Sequence, residues 1–439
     1  MNTPIADFVS RYAVSGAARL HMPGHKGRPI LGCEPLDITE IAGADALYEA
    51  AGVIAESEKN AAALFGSGRT LYSTEGSSQC IRAMVYLALT CRPAGAAPLI
   101  LAARNAHKAF LYAAALADAR IEWLWPEASS SLCACPIAPE ALDAALGTMS
   151  APPAAVYITS PDYLGGQADI AALAGVCKRH GTILMVDNAH GAYLRFLKKP
   201  AHPLDLGAAI CCDSAHKTLP VLTGGAYLHI AKDAPTGFAE RAKDAMALFG
   251  STSPSYLVLQ SLDLCSRYLA DGCAERLAET IARLDSLRAE LTALGWQTEA
   301  SDPLRITLRG HGLAVAARLR AGGVEPEYAD RDHAVLMAAP ENTPEELSRI
   351  ARALGACDLP PSSPPRLPRL RPEAVCTPRE ALFAPHERIP AQDALGRVCA
   401  APTVSCPPAV PIAVSGERIG AEALAMFRYY GVREADVLL

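Results

Sequence analysis

From about residue 97 onward, short and continuously apolar runs alternate with amphipathic stretches. Strands that are covered on both faces produce such apolar runs, whereas helices produce a hydrophobic stripe with helical spacing. The pattern therefore predicts an α/β fold with a mainly parallel sheet. The expected strands are residues 98–103, 121–125, 155–159, 183–187, 208–212 and 226–230. The expected helices between them are residues 106–118, 139–146 and 170–180.

A long helical pattern carries the chain out of this region, beginning after residues 253–255 (SPS) and ending at Leu294, with a mild break at Gly272. A smaller α+β unit is expected next. Its strand, helix, strand, strand and helix are predicted at residues 304–308, 311–321, 324–328, 334–338 and 344–354. A proline-rich run then marks a linker, and the residues after it show little regular pattern.

These transitions define the predicted domain organisation, because a chain of 439 residues exceeds what a single core usually supports. Residues 1–30 form an N-terminal segment with a loop at an active site or interface, and residues 31–252 form a large domain. Residues 253–358 form a small α+β domain. Residues 359–372 form the linker, and residues 373–439 form a C-terminal piece.

Composition narrows the class of protein. The chain is 51% hydrophobic and 20% charged, and no apolar run approaches the roughly 18 residues of a membrane span. Its first residues do not combine a basic region with an apolar core, so we expect no secretory signal and a cytoplasmic location. The net charge is −6 and Lys and Arg are not clustered, so we expect neither nucleic acid nor membrane as a partner.

The 14 cysteines are scattered along the chain, and no pair has the C-x-x-C spacing of a metal or redox motif. In a cytoplasmic protein such thiols stay reduced and pack as small apolar groups. We therefore expect mostly buried free thiols and no metal site.

The most informative segment for chemistry is residues 212–218 (CDSAHKT), which follows an apolar strand. A lysine at the end of a buried strand, here Lys217, is costly unless its amine is paired or used, because burial disfavours the ammonium form. Burial would also supply the neutral amine that attacks an aldehyde. Lys217 is therefore a candidate for Schiff-base chemistry. The alternative is a lysine whose amine only reaches solvent from a strand end.

An acidic residue ends an earlier strand, in residues 186–191 (VDNAHG). Pyridoxal phosphate requires a carboxylate beside its pyridine nitrogen, because the protonated ring is a stronger electron sink. Asp187 is the candidate for this partner. The alternative is an aspartate that caps the turn after the strand.

A phosphate site is predicted at residues 73–79 (STEGSSQ), which lead into a helical run at residues 80–90. Gly76 permits close approach of the backbone, the hydroxyls of Ser77 and Ser78 donate hydrogen bonds, and the helix N-terminus adds a positive dipole. A plain helix cap is the alternative. Ser214 and His216, which flank Lys217, could add donors to the same phosphate.

Residues 104–108 (RNAHK) lie where a strand gives way to a helix, at the end of the sheet where open α/β folds bind ligands. The flat imidazole of His107 could stack on the cofactor ring. The alternative is a surface histidine near a helix cap.

These segments occur in the order and spacing typical of fold-type-I pyridoxal-phosphate enzymes, and from about residue 21 to 230 the chain resembles the Orn/Lys/Arg decarboxylase family. The motifs that carry the resemblance are residues 21–27 (HMPGHKG), 64–66 (LFG), 75–78 (EGSS), 104–108 (RNAHK), 159–165 (TSPDYLG), 187–191 (DNAHG) and 214–220 (SAHKTLP). The resemblance implies pyridoxal phosphate as the cofactor. The implied roles are a Schiff base on Lys217, a pyridine partner in Asp187, ring stacking by His107 and phosphate binding by Ser77, Ser78, Ser214 and His216, with Gly76 and His190 as further cofactor-binding residues.

The resemblance also implies decarboxylation of an amino acid, most often a basic one such as lysine, arginine or ornithine. Lys217 or His216 would return a proton to the α-carbon of the product. A homodimer or an assembly of dimers with shared active sites is implied as well. The loop at residues 21–27 would then contact the substrate or the interface. Zinc ligands on one helical face are the alternative for its two histidines, and the Pro-Gly pair between them disfavours a helix.

Four positions depart from the residues usual in this family and bear on the substrate. They are Glu75 in place of Asn, Asp162 in place of Thr, Asn188 in place of Glu or Ala, and Cys406 in place of Tyr. Asp162 could bind the distal ammonium or guanidinium of a basic substrate, or it could hydrogen-bond the backbone. Asp45 and Glu49 are further candidates for the distal group, with a solvated helical face as the alternative.

Two other functions stay open on the sequence. The same cofactor residues support transamination or elimination, in which an arginine of the small domain would hold the α-carboxylate. The candidates are Arg305, Arg309, Arg318 and Arg331. The departures would also suit a catalytically silent paralogue that serves as a structural subunit, although a scaffold has no reason to keep Lys217, Asp187 and His107. We therefore predict an amino acid decarboxylase.

Overall fold

The computed structural model describes residues 1–127, 131–299, 302–360, 362, 367–368, 370–404 and 409–439. The helices are α1 Pro4–Ala13, α2 Val53–Phe65, α3 Ser77–Thr90, α4 Lys108–Ala117, α5 Pro139–Gly147, α6 Ile170–Arg179, α7 Ala215–Thr218, α8 Phe238–Leu248, α9 Tyr256–Ala270, α10 Cys273–Ala293, α11 Gly312–Ala321, α12 Pro344–Leu354, α13 Pro378–Phe383 and α14 Ala421–Tyr430. The strands are β1 Arg69–Ser73, β2 Ala97–Ala103, β3 Arg120–Leu124, β4 Pro153–Thr159, β5 Leu184–Asp187, β6 Ile210–Asp213, β7 Ala226–Ile230, β8 Gln297–Glu299, β9 Arg305–Arg309, β10 Tyr328–Ala329, β11 His333–Met337, β12 His386–Pro390, β13 Thr403–Val404, β14 Pro411–Ala413 and β15 Glu434–Leu438.

The chain forms two compact units, each built from separate stretches of sequence. The first unit comprises residues 1–98, 146–157 and 170–275. The second unit comprises residues 99–145, 158–169 and 276–439. Among the described residues, every helix is too short or too polar to span a bilayer.

In the first unit the strands lie in the order β1, β7, β6, β5, β4. Strands β5 and β6 are parallel, with Asp187 opposite Cys212, whereas β7 runs antiparallel to both β6 and β1. Strands β5, β6 and β7 are buried along their whole length, which explains their continuously apolar sequences. Because β5 and β6 are parallel neighbours, the residues that follow them emerge at the same edge of the sheet.

In the second unit β2 and β3 pair in parallel, and β10, β11, β9 and β8 form an antiparallel sheet in that order. Helix α12 begins with a capping box between Thr343 and Glu346. The C-terminal part of this unit pairs β12 with β15 and has a core of its own, to which Ile412, Phe427 and Val437 belong.

The predicted α/β fold with a mainly parallel sheet is confirmed, and the expected helices and strands of the large domain differ at their ends by a few residues. Two expectations are wrong. The strand expected at residues 324–328 is reduced to β10, because Val324 N–H turns back to the carbonyl of Leu319 at 2.8 Å. The C-terminal piece contains regular strands and helices. Residues 43–49 form turns, so the structure does not support the alternative of a solvated helical face for Asp45 and Glu49.

Candidate active site

Lys217 and the DNAHG motif meet at the shared edge of β5 and β6. The Lys217 Nζ lies 3.1 Å from Nε2 of His190, which is buried in the loop after β5. Lys217 itself sits on the short helix α7, directly after β6, and its side chain is exposed in the single chain. The expected burial of this lysine is therefore wrong for the single chain. The pairing with His190 orients the amine instead.

Asp187 is a buried carboxylate at the end of β5. Its Oδ2 accepts a hydrogen bond from the Tyr157 hydroxyl at 3.0 Å, and its Oδ1 accepts one from the Ala189 N–H at 3.2 Å. The Cys212 thiol lies 3.6 Å from the same Oδ1. These contacts hold the carboxylate in one orientation, at the sheet edge where Lys217 also lies.

The predicted phosphate segment forms the N-terminus of α3. Gly76 occupies the N-cap position with φ of +73°, a left-handed conformation that favours glycine, and it has no side chain to cap the first N–H groups. The Ser214 hydroxyl donates to the Ser77 hydroxyl at 2.8 Å, so residues beside Lys217 meet this helix start. Ser78 lies in the first turn of α3. The arrangement offers N–H groups and hydroxyls to an anion.

His216 is half-buried on α7. Its Nδ1 lies 3.1 Å from the carbonyl oxygen of Gly225, so Nδ1 carries the hydrogen and donates. Burial lowers the pKa of the imidazole, and the nearby Lys217 lowers it further. The neutral ring therefore presents Nε2 as an acceptor, which makes it a poorer phosphate donor than the serine hydroxyls.

A fully buried polar network surrounds Asp213, the last residue of β6. Its Oδ1 accepts a hydrogen bond from the Asn188 amide at 2.6 Å, and its Oδ2 lies 3.0 Å from His202 Nε2 and 3.2 Å from His229 Nε2. Burial by itself would raise the pKa of Asp213, but the two imidazoles hold it well below its usual range. Burial lowers the pKa of His229 and favours its neutral form. Sequence reasoning missed this network, whose only signal was a polar residue within each of two apolar strands.

Glu75 and Asn188, two of the residues that depart from the family pattern, both make hydrogen bonds within the chain. Asn188 is fully buried and bonds Asp213, while Glu75 Oε1 accepts a hydrogen bond from the Ser251 N–H. Neither residue is therefore free to select a substrate in this structure. Cys406 lies outside the described residues.

Asp45 is also committed to the backbone. Its Oδ1 accepts hydrogen bonds from the N–H groups of Ala46 and Ala51, and its Oδ2 accepts from Gly52 and Ile54 at the start of α2. These bonds outweigh burial and lower its pKa. Asp45 is thus a structural residue of the loop before α2, whereas Glu49 is exposed and stays a candidate for the distal group.

In the second unit, His107 is the N-cap residue of α4, and its Nδ1 accepts a hydrogen bond from the Ala109 N–H at 3.1 Å. The cap explains why this helix begins at Lys108, two residues later than expected. The accepted bond assigns the ring hydrogen of the neutral form to Nε2. Ring stacking by His107 stays a prediction.

Asp162 of the second unit closes a turn, which favours the backbone-bonding alternative over substrate binding. Its Oδ1 accepts hydrogen bonds from the N–H groups of Leu164 and Gly166, at 2.9 and 2.8 Å. The Arg305 guanidinium donates to the main-chain oxygen of Asp162. Burial raises the pKa of the Asp162 carboxyl to about 6.

The raised pKa of Asp162 predicts a pH-dependent cost to stability. Protonated Asp162 contributes to the free energy of unfolding. This contribution is complete below the carboxyl's unfolded-state pKa of about 3.8, and it is lost as the pH rises through the folded-state pKa of about 6. Asp162→Asn keeps the two accepted hydrogen bonds without this titration. Between about pH 4 and 7, the free energy of unfolding of the wild type should fall by up to about 3 kcal/mol relative to this variant. Urea unfolding of both proteins across that range measures the difference, and parallel pH profiles would contradict the prediction.

The arginines that an aminotransferase could use already have partners in the second unit. Arg305 pairs with Asp302 at 3.5 Å in addition to its bond to Asp162. The other three also make contacts: Arg309 with Glu299 at 3.0 Å, Arg318 with Asp358 at 2.5 Å and Arg331 over the Tyr429 ring at 5.3 Å. These contacts weigh against the transamination alternative.

Comparison with known proteins bears on the whole chain. Residues 3–311 match the model of the Orn/Lys/Arg decarboxylase major domain, and residues 367–436 match that of the family's C-terminal domain. An uncharacterized protein of Bacillus subtilis, YaaO, is 28% identical over 97% of this chain and 93% of its own length. The arginine decarboxylase of Halalkalibacterium halodurans is 27% identical over 97% of this chain and 93% of its own.

A solved structure has the same fold. The lysine decarboxylase LdcF of Francisella novicida superposes with a TM-score of 0.80 at 16% identity, over all of this chain and 81% of its own. This likeness confirms the predicted fold-type-I architecture. Because the major-domain model covers well over half of the sequence, the chain belongs to the Orn/Lys/Arg decarboxylase family.

Proposed function

We propose that this protein decarboxylates a basic amino acid with pyridoxal phosphate carried on Lys217. The observation that carries the proposal is the meeting of Lys217, His190 and Asp187 at one sheet edge, in a chain of this family. Arginine is the first substrate to test, because a curated relative that covers nearly the whole chain is named arginine decarboxylase.

The residues of the first unit fit the cofactor. The open N-terminus of α3, with Ser77 and Ser214, suits the phosphate group, and the buried Asp187 suits a protonated ring nitrogen. The exposed amine of Lys217 suits an aldehyde. Pyridoxal phosphate, when bound, supplies an electron sink for the bond that breaks at the α-carbon.

Each residue then has a defined task. The Asp187 carboxylate would pair with the ring nitrogen, because the Tyr157 hydroxyl and the Ala189 N–H hold it in one orientation. The Lys217 amine delivers the proton to the α-carbon after carbon dioxide leaves, and His190 orients its Nζ from 3.1 Å. His216 suits the proton transfer less well, since its lowered pKa favours the neutral ring.

The test is product analysis with arginine, lysine and ornithine supplied separately to protein loaded with pyridoxal phosphate. We expect carbon dioxide and the matching amine from one of the three. A keto acid as product would assign transamination instead. Cofactor binding without turnover of any of the three would contradict the decarboxylase assignment, and absence of cofactor binding would favour the silent structural subunit.

A homodimer is part of the proposal. The N-terminal segment exposes large apolar side chains, among them Leu20 at 94% and Leu31 at 87%, and Lys217 is also exposed in the single chain. Exposed apolar residues concentrated in one segment indicate a surface that another chain covers. A second copy would both cover the segment and shield the amine.

The dimer is tested with Ile30→Glu combined with Leu31→Glu. Charges in the buried contact should shift the mass measured by sedimentation from dimer towards monomer and reduce activity. Phe383→Glu is the matched control, since this exposed apolar residue lies in the second unit, far along the sequence. A monomeric wild type, or a dimer unaffected by the double variant, would contradict the proposal.

A further inference from the structure

The ends of β5 and β6 are joined by side chains as well as by backbone. Asn188, the residue after β5, donates its amide hydrogen to Asp213 Oδ1 at 2.6 Å, and its backbone N–H donates to the Cys212 carbonyl at 3.0 Å. Asn188 and Asp213 are both fully buried. These bonds fix the distance between the carboxyl ends of β5 and β6.

The second oxygen of Asp213 is held from two further elements. His202 Nδ1 accepts the Leu204 N–H at 3.4 Å, so Nε2 carries the hydrogen that is donated to Asp213. His229 of β7 lies 3.2 Å away, and its Nδ1 lies 2.8 Å from the Thr70 hydroxyl of β1. The carboxylate therefore receives contacts from the loop after β5, the loop before β6 and strand β7.

A metal-binding role for this cluster is less consistent with the contacts. His202, Cys211 and Asp213 could contribute three ligand atoms. However, the His202 Nε2 that would bind a metal carries a hydrogen, and burial holds the pKa of the Cys211 thiol well above its usual range. The cluster is therefore built as a hydrogen-bonded carboxylate.

The cluster lies directly beside the two residues that the cofactor would contact at opposite ends of its ring. Asp187 directly precedes Asn188, and Asp213 directly precedes Ser214 and the short helix that carries Lys217. The pyridine nitrogen and the aldehyde lie on opposite sides of one rigid ring, so Asp187 and Lys217 must stand at a matching separation. Stability alone does not explain a buried charged cluster, since well-packed apolar residues often stabilise a fold equally well.

We propose that Asn188 and Asp213, supported by His202 and His229, form a latch that positions Asp187 and Lys217 for pyridoxal phosphate. These are positioning residues, and the inference rests on the proposed function. The latch also explains why residue 188 is asparagine. Its amide donates a hydrogen bond to the Asp213 carboxylate, which an alanine or an ionised glutamate would not do.

The test compares Asn188→Ala with Thr182→Val in the full-length protein. Thr182 lies just before β5, at the end of the strand away from Asn188, and its hydroxyl donates a buried hydrogen bond of 2.8 Å to the Pro153 carbonyl. Thr182→Val therefore removes a comparable buried hydrogen bond without touching the cluster. Both variants should lower the Tm. Only Asn188→Ala should raise the dissociation constant for pyridoxal phosphate, by about 2- to 30-fold, the range typical of coupled positions that do not touch the ligand. It should also shift the pH midpoint of the bound cofactor's absorbance.

The outcomes separate this inference from the proposed function. Equal cofactor affinity and equal absorbance titrations in the two variants would overturn the latch and leave the decarboxylase proposal standing. Wild-type protein that binds the cofactor without releasing carbon dioxide would contradict the reaction but still allow the latch to be measured. Wild-type protein that binds no cofactor would overturn both. If the Asn188→Ala protein does not fold, Asn188→Ser, whose hydroxyl is a shorter donor, takes its place. Metal found in the purified wild-type protein would also contradict the latch.

Discussion

Lys217→Ala is expected to abolish decarboxylation, with kcat falling by about 10³-fold or more. The variant loses the amine that carries the cofactor and the group that we propose returns the proton, and acid–base catalysis alone commonly contributes about 10²- to 10⁴-fold. Its visible absorbance from bound cofactor should change, and borohydride reduction should no longer attach the cofactor to the protein. Activity and the mass of the reduced peptide measure both effects.

Two further variants sharpen this result. Lys217→Arg keeps the positive charge near His190 but presents a guanidinium that stays protonated, so it should be as inactive as the alanine variant. Lys199→Ala removes an exposed lysine from a nearby stretch of sequence and should leave activity unchanged. Substantial activity in either Lys217 variant would show that another residue carries the cofactor.

Glu417→Ala is expected to produce the largest loss of stability, about 3–5 kcal/mol, because it leaves the charge of Arg104 buried without its partner. The Arg104 Nη2 donates to Glu417 Oε2 at 2.9 Å and to the Ile412 carbonyl at 3.0 Å, and the two charged residues are only 7% and 5% exposed. The guanidinium also stacks near the Trp123 ring, at 4.7 Å. Burial raises the pKa of Glu417 although Arg104 opposes this effect, so the carboxylate depends on its partner.

Denaturant unfolding measures the loss, and a surface pair is the control. Arg388 and Asp436 form an exposed pair at 2.9 Å in the same C-terminal region, so Arg388→Ala should cost less than about 1 kcal/mol. A combined Arg104→Met and Glu417→Leu variant should lose less than the sum of its two single changes, because no charge stays buried alone. A cost below about 1 kcal/mol for Glu417→Ala would contradict the prediction.

The candidate site was partly predictable, because several of its residues sit at positions with a local signature. Asp187 ends a buried apolar run, Lys217 follows another one within five residues, and Gly76 precedes a helical pattern beside two serines. Carboxyl ends of parallel strands meet at one edge of a sheet, so residues that follow such strands are expected to converge. What local pattern could not determine was the exposure of Lys217, which depends on packing around the whole unit.

The sequence by itself determined the α/β class, the positions of most strands and helices of the large domain, and the identity of the candidate cofactor residues. These follow from local periodicity and from residue chemistry at strand ends. Only the tertiary structure decided what the carboxylates do: Asp45 and Asp162 hold turns, Asp213 joins Asn188 to two histidines, and Glu417 pairs with Arg104. The physical reason is that a buried carboxylate takes whichever donors the fold brings to it, and those donors often lie far away in the sequence, where no local pattern records them.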